Sequence, residues 1–284
     1  GLQTATDAAY RPFADESAIA SWAKSGVRLC QQLSLVSGKD AGRFDPKGNT
    51  TRAEGARILS ALTEKTLLPI CKLRIHYLDV GQGDSVFIEL PGGGTMLIDA
   101  GEARYADGIA KYIKALGYTK IDYIVGTHPH ADHIGGLADV IKTFSVGKVY
   151  LPRSANTTQT YENLLTTIQS KGLTVKTAKA GVSVLSAAGL KVYFIAPVRD
   201  DYGDKDYNLY SACVRITYGG RAFLFMGDAT TQNEAEITED VSADVIKVGH
   251  HGSKTSSSAA FVKRVEAKYA VVSVGRDNKY DLPA

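Results

Sequence analysis

The sequence predicts an α+β fold, a mixed sheet architecture with helices outside, preceded by a small N-terminal helical module. Two changes of pattern carry that reading. Over residues 10–67 apolar side chains recur at helical spacing, and from about residue 72 they alternate along short segments separated by glycine turns. Further along, such segments are interspersed with helical ones, which puts helices outside a mixed sheet. The expected division is a helical module over 1–67, a linker over 68–72 and a second domain over 73–284, as suits one large domain or two smaller ones in 284 residues.

In the first region Asp15-Glu16-Ser17 is a cap for a helix running from Ala18 to Leu35. A turn-rich loop, Ser37 to Asn49, follows. Thr51, with Glu54 three residues on, forms a capping box for a second helix, whose apolar stripe is Ala56, Ile58, Leu59 and Leu62. In the second region strands are expected at 73–80, 84–90 and 95–99, then a helix near 105–117, a strand at 121–126 and a helix near 134–144. Later strands fall at 190–196, 211–218 and 221–226, the last two joined by Gly219-Gly220. A helix near 231–238, a strand at 243–248, a helix at 258–266 and a strand at 269–274 complete the order.

Composition narrows the class. With 44% hydrophobic residues a sizeable core is available. The 33 basic and 30 acidic residues leave a formal charge of +3, less basic than a dedicated DNA-coating protein. Cys30, Cys71 and Cys213 are odd in number and far apart, and read as small apolar fillers. No run of about 18 apolar residues is present to span a membrane. Gly1 stands where an initiating Met would, so the chain reads as a processed piece of a longer protein, its signal peptide absent.

The chemistry sits at strand ends. Six histidines occur in the chain, and three of them fall within Thr127-His128-Pro129-His130-Ala131-Asp132-His133. That stretch follows an apolar strand and opens a helix, so His128, His130, Asp132 and His133 can aim into one small volume. Imidazole and carboxylate suit zinc, iron or manganese. Other ligand types follow other strands: Asp99 after Leu97-Ile98, Asp228 after Leu224-Phe225-Met226-Gly227, and His250-His251 after Val245-Ile246-Lys247-Val248. The sixth histidine, His76, lies inside a strand and reads as structural.

Two families are recognisable in these residues. Phe13-Ala14-Asp15, Trp22-Ala23, Gly42-Arg43-Phe44-Asp45-Pro46 and Thr51-Arg52-Ala53-Glu54 resemble, in order and spacing, one S-layer homology module. That resemblance implies attachment to a secondary cell-wall polymer, hence an extracellular, wall-associated place, with Trp22 and Arg52 near the glycan. The alternative for Trp22 is a core position between packed helices. From residue 73 on, the pieces are Leu78-Asp79-Val80-Gly81-Gln82-Gly83-Asp84-Ser85, Ile98-Asp99-Ala100-Gly101, and the histidine motif with Ile134-Gly135-Gly136. They continue with Asn208 to Ser211, Gly227-Asp228, His250-His251-Gly252-Ser253-Lys254 and Ser273-Val274-Gly275 with Asn278. This set resembles the metallo-β-lactamase fold in its ComEC-type form, the hydrolase domain of DNA-uptake competence proteins.

The second resemblance implies a four-layer αββα sandwich with two divalent metals at one edge of the sheets, zinc first and manganese second. His128 and His130 would hold the first ion, Asp132, His133 and one of the 250–251 pair, preferably His251, the second, and Asp228 would bridge them. Asp99 and Asp84 would support the ligands from behind. Asp132 would orient a hydroxide acidified by the metals, and His250 would protonate the leaving group. Asn208, Ser211, Ser253 and Lys254 would face the substrate. Two departures stand out: no histidine lies between His133 and His250, so the first ion is expected to be held weakly, and the segment Asn278 to Pro283 has no histidine. The implied reaction is phosphodiester hydrolysis, by a nuclease on DNA or by an esterase on a choline-phosphate wall polymer. A wall-anchored binding protein with a degenerate site is the reading from another class. The missing third histidine speaks against a β-lactamase. No basic stretch with interleaved aromatics marks a nucleic-acid groove, and Tyr202, Tyr207 and Tyr210 are read as groove-lining or packing.

Overall fold

The computed structural model describes residues 10–32, 34–62, 72–154, 156–203 and 205–284. Cys71, and all of the expected 68–72 linker but Lys72, lie outside them. The chain divides into two compact units, one up to Lys72 and the other Leu73–Ala284.

In the first unit a 3-10 turn, Glu16–Ala18, precedes helices α1 (Lys24–Gln32) and α2 (Arg52–Leu62). The helix expected from Ala18 therefore starts later. Asp15 does not cap it; its carboxylate accepts the Phe44 and Asp45 backbone N–H groups at 2.7 and 2.8 Å, pinning the turn-rich loop. Ile19 is extended and packs with Phe13 and Val27 in a small core. The capping box of α2 forms as expected: Glu54 N–H donates to Thr51 Oγ1 at 3.2 Å, and Thr51 N–H to Glu54 Oε2 at 2.7 Å. Trp22 is not core, since it is 84% exposed, and Arg52 is exposed as well.

Among its described residues the second unit holds twelve strands in two six-stranded sheets. The first runs β1 (Arg74–Tyr77), β2 (Val86–Glu89), β3 (Thr95–Ile98), β4 (Lys120–Val125), β5 (Ser145–Leu151), β6 (Val175–Thr177), in that spatial order. The second runs, from its opposite edge, β7 (Ser183–Ala187), β8 (Leu190–Phe194), β9 (Val214–Tyr218), β10 (Arg221–Phe225), β11 (Val245–Lys247), β12 (Tyr269–Val271). Each sheet joins an antiparallel half to a parallel half: β3, β4, β5 and β6 pair parallel, as do β10, β11 and β12.

Alternation along the strands builds the layers. Val86, Ile88, Met96 and Ile98 face Val192, Phe194, Val214, Ile216 and Phe225 between the sheets. Their neighbours Phe87 and Leu97 face the other way, packing with α3 (Ala106–Ala115), α4 (Ala131–Ile134), α5 (Leu137–Thr143) and α6 (Gln159–Ser170). On the far side Cys213, Leu224 and Met226 pack with Ala229 and Ile237, which flank α7 (Thr231–Glu236), and with Phe261 and Val265 of α8 (Ala259–Val265). The result is the four-layer αββα sandwich. Sequence reading passed over β5, α6, β6 and β7. The first residues of β5 carry Ser145, Gly147 and Lys148 at partly or fully exposed positions, so they lack a buried alternation. The helix expected over 134–144 splits into α4 and α5, with Gly136 N–H donating to Gly101 O at 3.0 Å where they part. His76 is structural, bridging Glu89 and Tyr112 at 2.9 Å each. Among the described residues no helix is long and apolar enough to cross a membrane.

Candidate metal centre

The loops after β1, β3, β4, β10 and β11 converge at one edge of the sandwich. Each bears a ligand-type side chain, and parallel pairing of β3 with β4 and of β10 with β11 sends those loops the same way. Two groups form there whose ligand atoms lie within 4.8 Å of one another: His128, His130 and Asp228, and Asp132, His133 and His251. A third comprises Asp84, Asp99 and His133.

Asp228 sits between the first two. Its Oδ1 is 3.2 Å from His133 Nε2, and its Oδ2 is 3.4 Å from His251 Nε2 and 3.8 Å from both His128 Nε2 and His250 Nε2. It is 3% exposed, and Oδ1 has no hydrogen-bond partner among the described residues. A buried carboxylate oxygen left without a donor is costly, and a cation beside it removes that cost.

Side-chain partners set the ring tautomers. His133 Nδ1–H donates to Asp99 Oδ2 at 2.8 Å, and His251 Nδ1–H to the Ser273 carbonyl at 2.8 Å. In their neutral forms both rings would then present Nε2 lone pairs to the centre, and the two atoms lie 3.3 Å apart. A tetrahedral ion with metal–nitrogen bonds of about 2.0–2.1 Å holds its nitrogens roughly 3.3 Å apart. The donor set and its spacing therefore fit a divalent cation. Thr127 completes the support: its hydroxyl donates to Asp99 Oδ2 at 2.7 Å and its oxygen faces His128 Nδ1 at 3.1 Å.

The electrostatics carry the same demand for positive charge. Burial opposes a charged His133, yet the Asp228 and Asp99 carboxylates outweigh it and hold its pKa well above the usual value. Burial likewise opposes charge on His251, but Asp132 and Asp228 push it up to about 9. His128 goes the other way, lowered by burial and by the neighbouring His133. Backbone strain occurs here too. Asp99, His250 and His251 take φ of +57°, +46° and +54°, a left-handed conformation that costs roughly 1–2 kcal/mol for a residue with a Cβ.

The loop after β1 acts as a bracket. Gly83 has φ +135°, and a Cβ there would lie 2.2 Å from the Asp132 carbonyl. Asp84 N–H donates to that carbonyl at 3.2 Å, Ser85 Oγ–H to Asp99 O at 3.2 Å, and Gln82 Oε1 accepts from Gly275 N–H at 3.1 Å.

Not every expected residue reaches the opening. Ser211, expected at the substrate, is fully buried, and its Oγ accepts the Asp228 N–H at 3.1 Å, so it sets the ligand loop instead. Asn208 is part-buried on a 3-10 turn, Tyr207–Tyr210, that walls the centre. Tyr207 meets the His130 ring edge-on at 6.2 Å, while Tyr202 and Tyr210 pack on each other at 5.5 Å. Ser253 bonds Thr255 at 3.1 Å, and Lys254 is exposed. His250 Nδ1 bonds the Thr255 hydroxyl at 2.7 Å, and its ring belongs to none of the three ligand groups. Sequence reading missed Thr127 and Lys247. For Lys247 the signal was a lone cation amid the apolar Val245-Ile246 and Val248.

Comparison with known proteins gives two matches along the chain. Residues 78–276 match the metallo-beta-lactamase superfamily, and residues 12–56 the S-layer homology domain. The chain is 28% identical over 229 residues to ComE operon protein 3 of Bacillus subtilis (strain 168), covering 74% of this chain and 29% of that protein. It is 30% identical over 210 residues to Competence protein ComA of Neisseria gonorrhoeae, covering 72% and 27%. A stretch of 54 residues is 43% identical to Amylopullulanase of Thermoanaerobacterium thermosulfurigenes, covering 19% of this chain and 3% of that protein. The chain thus spans under a third of the length of these competence relatives.

Proposed function

The chain belongs to the metallo-beta-lactamase superfamily through residues 78–276, and we propose that it is a phosphodiesterase of the bacterial cell surface, with DNA as its first substrate. The observation that carries this reading is Asp228, a buried carboxylate with an unpartnered oxygen between two His/Asp groups. His128, His130 and Asp228 would hold one ion; Asp132, His133 and His251, sharing Asp228, would hold the other. Two divalent ions there would supply Lewis acidity and acidify a bound water. Imidazole-rich donors suit zinc, and the carboxylates admit manganese.

The remaining chemistry is assigned to the chain's own groups. The Asp132 side chain is 32% exposed, so its carboxylate reaches both the centre and solvent and can orient an attacking water. Its pKa lies below the usual carboxylate range: burial pushes it up, but His251 and His133 outweigh that and keep it ionised as an acceptor. His250 is one quarter exposed at its side chain. Its Nδ1 lies 2.7 Å from the Thr255 hydroxyl and its Nε2 3.8 Å from Asp228 Oδ2; in its imidazolium form it would give the Nε2 proton to a leaving alkoxide and return to neutral imidazole. Asn208, Ser253 and Lys254 lie on the flanking turns and would meet the substrate.

The competence relatives support DNA as substrate. The S-layer homology match supports a place at the wall, and with it a second reading, a choline-phosphate wall polymer. Exposed Trp22 and Arg52 are then the residues that would contact a secondary cell-wall polymer. Hydrolysis of small chromogenic phosphodiesters, single- and double-stranded DNA and choline-phosphate polymer, with zinc and with manganese, tests both readings. Asp132→Ala is expected to lower the rate by about 10²–10⁴-fold on the true substrate. Equal rates for that variant and the native chain on every substrate would remove the hydrolase reading. Less than one metal per chain together with no activity would favour a binding protein.

A further inference from the structure

Directly behind the ligands lies a lysine that the ligand set does not use. Lys247 ends β11 and is 1% exposed. Its ammonium pairs with the Asp84 carboxylate and donates to the Gly227 carbonyl at 3.3 Å. These partners come from separate segments: Asp84 from the loop after β1 in the first sheet, Gly227 from the turn that presents Asp228, and Lys247 from the strand that runs into His250 and His251. Asp84 Oδ1 is buried, has no hydrogen-bond partner among the described residues, and lies 3.6 Å from His251 Nδ1. Its Oδ2 is 3.9 Å from His133 Nδ1. Asp84, Asp99 and His133 are thus close enough to hold a cation, and the ammonium already stands at the Asp84 side of that group.

We infer that Lys247 is a positioning residue for the metal centre, a cation built into the chain that occupies the Asp84 corner and ties together the loops carrying Asp84, Asp228 and His251. The inference rests on reading the neighbouring histidines and carboxylates as a metal site.

Two opposed effects make it testable. As a charge alone, an ammonium beside a dication site repels the ion, so its removal would tighten metal binding. As a clamp, it ties the Asp84 loop to the Gly227 turn and to β11, which steadies His133 and His251 with their Nδ1 protons in place. Those protons are spent on Asp99 and Ser273 and orient both rings. Loss of an outer partner of this kind typically lowers metal affinity by 10–100-fold.

The experiment uses the full chain and its Lys247→Met variant. Lys247→Met alone strands a buried carboxylate, which is strongly destabilising. The Asp84→Asn/Lys247→Met double variant removes both charges and keeps similar volume, a change often neutral for folding. Zinc affinity and stoichiometry are read by chelator competition, ligand geometry by the visible spectrum of the cobalt(II) form, and folding by near-ultraviolet circular dichroism. The expected result is a natively folded double variant that binds zinc at least about tenfold more weakly, with an altered cobalt spectrum. Native affinity and spectrum in the folded double variant would reduce Lys247 to a structural ion pair, and tighter zinc binding by Lys247→Met would reduce it to a charge; either overturns the inference. A native chain that binds neither zinc nor cobalt removes the metal centre itself, a separate failure.

Discussion

Asp99 would touch neither metal, yet it accepts three hydrogen bonds at the heart of the centre. Thr127 N–H, Thr127 Oγ–H and His133 Nδ1–H reach it at 2.7, 2.7 and 2.8 Å. One carboxylate therefore fixes the His133 tautomer and, through Thr127, the neighbourhood of His128. Asp99→Asn is expected to keep the fold and lower zinc affinity by about 10–100-fold, because an amide offers one oxygen where two now accept. Calorimetric titration with zinc reads that loss, and an unchanged affinity would relegate Asp99 to packing. At this scale sequence separates residues by rarity. Histidine is scarce in this chain, so five of six at strand ends stood out. Lys247, Thr127 and Ser211 belong to common residue types, and only their burial reveals what they do. Ser211 was expected to face substrate, and the backbone N–H of Asp228 claims its oxygen instead.

The working element of this protein is the strand-end turn rather than the strand. Positive φ at Asp99, His250 and His251 turns these side chains inward, against intrinsic preference. Such strain persists only where surrounding contacts outweigh it, and Gly83 shows one of them. Gly83→Ala would push a Cβ to 2.2 Å from the Asp132 carbonyl in a conformation alanine rarely adopts. The expected outcome is a loss of more than about 1 kcal/mol in stability, together with weaker metal binding, since the bracket and the Asp132 turn must separate. Chemical denaturation alongside zinc titration checks both, and native values for each would refute the bracket. Alternation made β2, β3, β4, β9 and β10 readable. It failed over β5, β6 and β7, where half-exposed positions and Gly147 blur the period. The first helix was overdrawn because apolar spacing continues through Ile19, which belongs to a core contact rather than to a helical turn.

For the whole molecule the candidate metal centre draws its side chains from loops of both sheets. Asp84, Asp99, Asp132 and Asp228 converge on one edge of the two sheets, and a dication bound among these carboxylates would add favourable charge pairing to the folded state. Zinc at about 100 times its dissociation constant is expected to stabilise the second unit by about 2.7 kcal/mol, and a chelator to lower its melting temperature accordingly. Melting that ignores both zinc and chelator would count against the centre. The sequence by itself determined the alternating apolar code of a layered α+β domain, the helical module before it, and the residue types gathered at the centre, because periodicity and rare ligand spacing are local properties. Only the tertiary structure decided that Asp228 lies between the two groups, that His251 rather than His250 joins Asp132 and His133, and that Lys247 backs Asp84. Those relations depend on which strand ends meet across two sheets, and the packing between the sheets, not the spacing along the chain, sets them.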